Sequence, residues 1–214
     1  IIYAIINKIL KENKINAPTL ISNHYQNNMI EISDLGEKSF YDYIKSKKSK
    51  LNDYKSLLKF LIKVQKIKVK KYYKLGKFKV KFSKYSLNNL HKESDLFFDW
   101  YLKGVLKKKF SNKYKKIIRK ELNKLYKKIF FKNNFIVHRD FHISNIMLKN
   151  KRLGVIDTQD VILGNPMYDV ASLIDDIRLK VPNHIKNKTF KYYLKNCLIK
   201  NKKESDLKND FDIL

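Results

Sequence analysis

Residues 135 to 169, FIVHRDFHISNIMLKNKRLGVIDTQDVILGNPMYD, constrain this chain more than any other stretch. Two short apolar runs, Ile146 to Leu148 and Leu153 to Ile156, flank the polar Lys149-Asn150-Lys151-Arg152, a pattern that predicts a β-hairpin. With the turn centred near Lys151, Leu148 is expected opposite Gly154, Ile146 opposite Ile156, and Asn145 directly opposite Asp157. Asp140 stands just upstream, after the strand-like Phe135-Ile136-Val137.

The spacing HxDxxxxN, followed by an aspartate after a second strand, resembles the catalytic centre of protein kinases. Phosphoryl transfer asks little covalent help of a protein, so a positioned base and oxygen ligands for a hard cation are sufficient equipment. Asp140 is the expected acceptor of an attacking hydroxyl's proton, and Asn145 and Asp157 are the expected ligands of Mg2+ beside the phosphates of ATP. Thr158 and Gln159 replace the Phe and Gly of protein kinases, and a short link with no long activation loop leads to GNPMYDVASL. That link resembles the aminoglycoside phosphotransferase and choline kinase family, whose pattern is HxDxxxxN, an IDF or IDW strand end, and GxPxxDLA. Within it, VHRDFHISNIML, GVIDTQD and GNPMYDVASLIDD look most like the bacterial anomeric kinases of the cell-wall amino sugars N-acetylmuramate and N-acetylglucosamine. The resemblance implies an α+β, protein-kinase-like fold and a small-molecule kinase using ATP and Mg2+ on an amino sugar.

The resemblance also divides the chain. Residues 1 to 36 read as helix, loop, strand, strand and turn, which in the family is the end of the small lobe, and 37 to 214 as the helical large lobe. MIEISDLG is similar to the family's hinge strand, so Ile32, Ser33 and Asp34 are expected to bind the nucleotide base. No glycine-rich phosphate loop occurs, the chain does not begin with Met, and it ends on the apolar Phe211-Asp212-Ile213-Leu214. Both termini therefore read as truncated, these 214 residues alone are expected to be incomplete for activity, and the apolar stripe Ile1, Ile2, Ile5, Ile6 and Ile9 is expected to be exposed.

Downstream, LNDYKSLLKFLIKVQKI places Leu51, Tyr54, Leu57, Leu58, Leu61, Ile62 and Gln65 along one helical face. Residues 68 to 85 lack periodicity and read as a surface loop with extended pieces. Asp95 is expected to cap a helix bearing Leu96, Phe97, Trp100 and Tyr101, and a further helix over 114 to 131 is expected to turn Ile117, Ile118, Leu122, Leu125 and Ile129 inward. By resemblance to the amino-sugar kinases' ELxLFxxWY segment, Glu93 and Asp95 are sugar-facing candidates, beside His142 and Asp176. Capping and solvation are the blander roles of Glu93 and Asp95. His138 is expected to pack beneath the catalytic loop, and Asp169 either to cap the helix after it or, by resemblance, to hydrogen-bond that loop. Zinc is not expected of His138 and His142, which lack the helix and glutamate of an HExxH pair.

The formal charge of +28 would ordinarily point to nucleic acid or an anionic membrane. Only Arg119, Arg139, Arg152 and Arg178 are arginines among the 48 basic residues, and the lysines travel with abundant Asn, Ile, Tyr and Phe, all encoded by A/T-rich codons. Base composition accounts for the charge without a nucleic-acid partner, and no zinc finger, basic zipper or aromatic RNA-binding pattern is present. The single Cys197 suits a reducing compartment, and no apolar run reaches the roughly 18 residues that span a bilayer, so a cytoplasmic protein is expected. Three alternatives to the amino-sugar kinase are an aminoglycoside- or choline-type phosphotransferase, a regulatory pseudokinase and a basic binding protein. The complete set Asp140, Asn145 and Asp157 argues against the pseudokinase.

Overall fold

The computed structural model describes residues 2–108, 111–129, 134–197, 199 and 202–214. Its first part holds α1 (Ile2–Glu12), β1 (Leu20–His24), β2 (Met29–Ile32), α2 (Phe40–Ile44), α3 (Leu51–Gln65), β3 (Tyr73–Leu75) and β4 (Phe78–Val80). Then come α4 (Leu87–Leu96), continued as a π-helix over Phe97–Val105, α5 (Asn112–Tyr126), β5 (Phe135–Val137), β6 (Ile146–Lys149), β7 (Arg152–Val155), β8 (Ile162–Gly164), α6 (Met167–Ile174), α7 (Asn183–Asn196) and α8 (Glu204–Ile213). The strands pair antiparallel two by two, β1 with β2, β3 with β4, β5 with β8 and β6 with β7. Helices and small sheets together make an α+β chain.

α3 anchors the core. Its stripe brings Tyr54, Leu57, Leu58 and Leu61 to near-complete burial, and each fully buried leucine is worth about 2 kcal/mol of transfer from water. Ile5, Ile6 and Ile9 of α1 join the same cluster, with Ile143 and Ile146 from the stretch between β5 and β7 and Val170 and Leu173 of α6. The expected exposure of the α1 stripe is therefore corrected: Ile5, Ile6 and Ile9 are buried, Ile2 is exposed, and Ile1 lies outside the described residues. Gln65 ties three helices, its Nε2 donating to the Pro166 carbonyl at 3.1 Å ahead of α6 and its Oε1 accepting from Tyr193 Oη of α7 at 2.8 Å.

Serines start three helices by accepting from orphan backbone N–H groups: Ser39 before α2, Ser86 in a capping box with Asn89 before α4, and Ser111 before α5. Asp95 therefore lies in the last turn of α4 and caps nothing. In α5, Ile117 and Leu125 face solvent, contrary to expectation, whereas Ile118 and Leu122 are half-buried; Ile129, just past its end, is buried. The extended pieces of 68 to 85 are the hairpin of β3 and β4, which turns at Gly76 with φ +56°. α6 begins at Met167, whose N–H is accepted by Asn165 Oδ1 at 2.9 Å, so Asp169 sits inside the first turn and not at the cap.

The hairpin of β6 and β7 forms with its register one residue from the expected one. Asn150 and Lys151 both take left-handed backbone, φ 51° and 61°, and make a two-residue turn whose twist matches that of the strands. Ile146 consequently faces Val155, Met147 faces Gly154 and Leu148 faces Leu153. Asn145 lies opposite Ile156, whose N–H donates to the Asn145 carbonyl at 3.1 Å, and Asp157 falls beyond the ladder at φ 62°, ψ 43°.

Candidate active site

The catalytic-loop candidate is built between β5 and β6 and held from below. Asp169, fully buried on α6, accepts from the backbone N–H of His138 at 2.8 Å and of Arg139 at 2.9 Å, which fixes the chain where Arg139 takes a left-handed φ of 77°. Burial pushes the Asp169 carboxyl up to about 7 against the opposing pull of those two donors. His138 is buried edge-on to Phe141, and its Nε2 donates to the Ile156 carbonyl at 2.9 Å, so the loop is pinned to the end of β7. Burial holds this imidazole below its ordinary value, against the pull of the Ile156 carbonyl.

Two clefts flank the loop. The first, about 520 Å3, is lined by Ile32, Ser33 and Asp34 together with Asn145 and Asp157, so the expected hinge and the expected metal ligands share one cavity. Within that hinge the Ser33 N–H donates to the Thr19 carbonyl at 2.9 Å, which leaves any edge-on contact with a base to the neighbouring backbone groups. The second cleft, about 480 Å3, is lined by Asp140, His142, Arg139, Tyr168, Asp175 and Arg178 among others. Asn145 joins the two, because its Nδ2 donates to the Asp140 carbonyl at 3.1 Å and lies 3.3 Å from His142 Nε2. With Nδ2 so engaged, Oδ1 is the atom of this amide with lone pairs to offer a hard cation. Among the described residues no three His, Cys, Asp or Glu side chains gather as a metal cluster. Asn145 and Asp157, which line the same cavity, are instead two oxygen-bearing side chains that could hold a hard cation.

Three sugar-facing candidates lie elsewhere. Glu93 spends both oxygens internally, Oε1 on Arg139 Nη2 at 2.7 Å and Oε2 on Tyr85 Oη at 2.5 Å and Tyr168 Oη at 3.1 Å. Burial raises both phenols above their ordinary value, so each remains a donor to that carboxylate. Asp95 pairs on the surface with Lys115 at 3.8 Å and Arg119 at 3.5 Å and lines neither cleft. Asp176 has a fully buried side chain whose Oδ1 accepts from Arg178 N at 2.9 Å and Arg178 Nη1 at 3.1 Å, so any part it plays runs through Arg178. His142 does line the cleft beside Asp140, and burial, then the Arg178 charge, hold its imidazole below the ordinary value.

Several contacts were not legible in the sequence. Thr158 Oγ1 donates to Asn7 Oδ1 of α1 at 2.6 Å, both side chains buried, and Gln159 Nε2 donates to Asp157 Oδ1 at 2.6 Å. β8, which pairs Ile162 with Val137 and closes the sheet beneath the loop, had only the brief run Val161-Ile162-Leu163 as its signal. No helix among the described residues is long and apolar enough to cross a membrane.

A family model described as "Phosphotransferase enzyme family" matches residues 8–197. Two curated relatives, both named N-acetylmuramate/N-acetylglucosamine kinase, are similar over less than half of the chain. The one from Neisseria meningitidis serogroup B is 29% identical over 92 residues, 43% of this chain and 28% of that protein. The one from Pseudomonas putida is 28% identical over 93 residues, 44% of this chain and 27% of that protein. The matched stretch thus spans just over a quarter of each. Among solved structures, the ADP-bound aminoglycoside phosphotransferase APH(2'')-Ib superposes with a TM-score of 0.62 at 17% identity, over 97% of this chain and 68% of that one. A choline/ethanolamine kinase family protein from Mesorhizobium loti follows with a TM-score of 0.54 at 11% identity, over 91% and 58%. At such identities the likeness is one of fold.

Proposed function

The chain belongs to the phosphotransferase enzyme family, and from that premise we propose that it carries the γ-phosphoryl group of ATP to a hydroxyl of an amino sugar of the N-acetylmuramate and N-acetylglucosamine class. The observation that carries this reading is the segment from His138 to Asn145, which sets Asp140 in one cleft and Asn145 beside Asp157 in the other. Transfer between two bound molecules is mostly positioning, and a shared loop between two cavities supplies it. The two amino-sugar kinases among the relatives support the acceptor class.

In this reading Asp140 takes the proton of the attacking hydroxyl on its carboxylate. Ile32, Ser33 and Asp34 form the hinge against the nucleotide base, with residues 1 to 36 on the small-lobe side and 37 to 214 on the large-lobe side. Asn145 Oδ1 and the Asp157 carboxylate would hold Mg2+, whose charge offsets that of the phosphates. His138, Asp169 and Glu93 position the loop without touching substrate.

The test is incubation of the protein, expressed from its whole reading frame, with ATP, Mg2+ and, separately, N-acetylmuramate, N-acetylglucosamine, kanamycin and choline, with phosphorylated product read by mass spectrometry. Phosphorylation of the amino sugars is expected. Product from kanamycin or choline alone would reassign the acceptor, and ADP release with no phosphorylated acceptor would remove the transfer function.

A further inference from the structure

The cleft beside Asp140 carries a charge arrangement that bears on the acceptor. Each ionised neighbour of Asp140 in that cavity is satisfied by a partner, with one exception. Arg139 is engaged by Glu93 at 2.7 Å and Asp160 at 3.8 Å. Asp175 pairs with Lys186 of α7, and Asp212 with Lys208 of α8. Arg178 is the one that keeps exposed donors free: Nη1 is tied to Asp176, Nη2 and Nε have no hydrogen-bond partner among the described residues, and the side chain is 47% exposed, whereas the unpartnered Nε of Arg139 is buried. Asp176, with a fully buried side chain that also accepts the Arg178 N–H, fixes the base of the guanidinium. A guanidinium so held presents the planar pair of N–H groups that matches a carboxylate.

We infer that Arg178, braced by Asp176, binds a carboxylate on the acceptor, and that this residue makes the protein select an acidic amino sugar over a neutral one. The inference rests on the acceptor class proposed above and adds the residue that discriminates within it. A cation in that place also repels the ammonium groups of an aminoglycoside, so one side chain both selects and excludes.

The experiment compares the wild-type protein with Arg178→Gln and Arg178→Lys on N-acetylmuramate, its methyl ester and N-acetylglucosamine. Arg178 is nearly half exposed but Asp176 behind it is fully buried, so thermal unfolding first establishes that each variant is folded, and Arg178→Lys keeps a charge beside that carboxylate. In Arg178→Gln the ratio of kcat/KM for N-acetylmuramate over N-acetylglucosamine should fall about 10- to 100-fold, through KM, and the acid should lose its advantage over the ester. Arg178→Lys should recover part of the ratio, since it returns the charge without the planar fork. An unchanged ratio, or an equal fall on both sugars, overturns the assignment while leaving the transfer function standing. If the wild-type protein phosphorylates neither sugar, the function proposed above fails, and calorimetric binding of N-acetylmuramate and its ester then decides. Tighter binding of the acid that disappears in Arg178→Gln upholds the anchor, and equal or absent binding overturns it.

Discussion

Arg139 Nη2 lies 2.7 Å from Glu93 Oε1, across 46 residues of chain, and the other oxygen of that carboxylate gathers Tyr85 and Tyr168. The arginine preceding Asp140 is thereby clamped from α4, and the clamp is an internal carboxylate. Glu93→Ala leaves one guanidinium and two phenols short of an acceptor in a half-buried place, so it should cost about 1–3 kcal/mol. Misplacing Asp140 should also lower kcat about 10- to 100-fold, with a smaller effect on nucleotide affinity. Urea unfolding and steady-state kinetics check both. Wild-type values in both would mean that the clamp does nothing.

Asp140→Asn should lower turnover by about 100-fold or more, the usual contribution of a positioned general base, and leave nucleotide binding nearly unchanged. Asp157→Ala should do the reverse, weakening Mg2+-dependent nucleotide binding before any chemistry. Full activity of the first variant would remove Asp140 from the base role, and an unaltered magnesium titration of the second would remove Asp157 from the metal.

Spacing made the gathering of Asp140, Asn145 and Asp157 around one loop and hairpin readable, because the elements that carry them are local in the chain. The strand Met29–Ile32 was readable too, as the run Met29-Ile30-Glu31-Ile32 ahead of Asp34 and Gly36, which is where the proposed hinge lies. The hairpin register was not, since it turns on whether Asn150 and Lys151 both adopt left-handed backbone. Nor were the fates of Glu93 and Asp176, whose partners are chosen in three dimensions. A carboxylate near a cleft in sequence reads as substrate-facing until its own arginine is seen. The start of α4 was misplaced because Ser86 and Asn89, a less familiar capping pair than Ser with Glu, compete with Asp95 for the signal.

The buried His138 predicts a pH dependence whose sign follows from linkage. Its folded value lies below the unfolded value of about 6.5, so as pH falls through 6.5 the unfolded chain takes up the proton first and stability is lost. Asp169 contributes in the opposite sense, since its raised folded value stabilises at lower pH and that contribution is lost as pH rises towards about 7. The readout is therefore the difference between wild type and His138→Gln, which keeps a donor for the Ile156 carbonyl but does not titrate. Denaturant midpoints at pH 7.5, 6.5 and 5.5 should fall less steeply with acid in the variant. Parallel slopes would show that His138 titrates alike in both states.

Thr158 Oγ1 reaches Asn7 Oδ1 at 2.6 Å, and this buried contact ties α1 to the residue after Asp157. Asp157 is held at φ 62°, ψ 43°, a conformation that costs a non-glycine residue about 1 kcal/mol and persists only where neighbours enforce it. Within the segment that follows Asp157, the threonine is the residue whose side chain holds Asn7 by a hydrogen bond. Thr158→Val keeps the shape, removes the donor and strands a buried acceptor, which should cost about 1–3 kcal/mol. If the tie orients Asp157, Mg2+-dependent nucleotide binding should also weaken about 10-fold, as when an outer partner of a metal ligand is lost, and Thr158→Ser should restore most of it. Lower stability with unchanged metal-dependent binding would make the contact a feature of packing alone, with Asp157 held by Gln159 and the end of the hairpin.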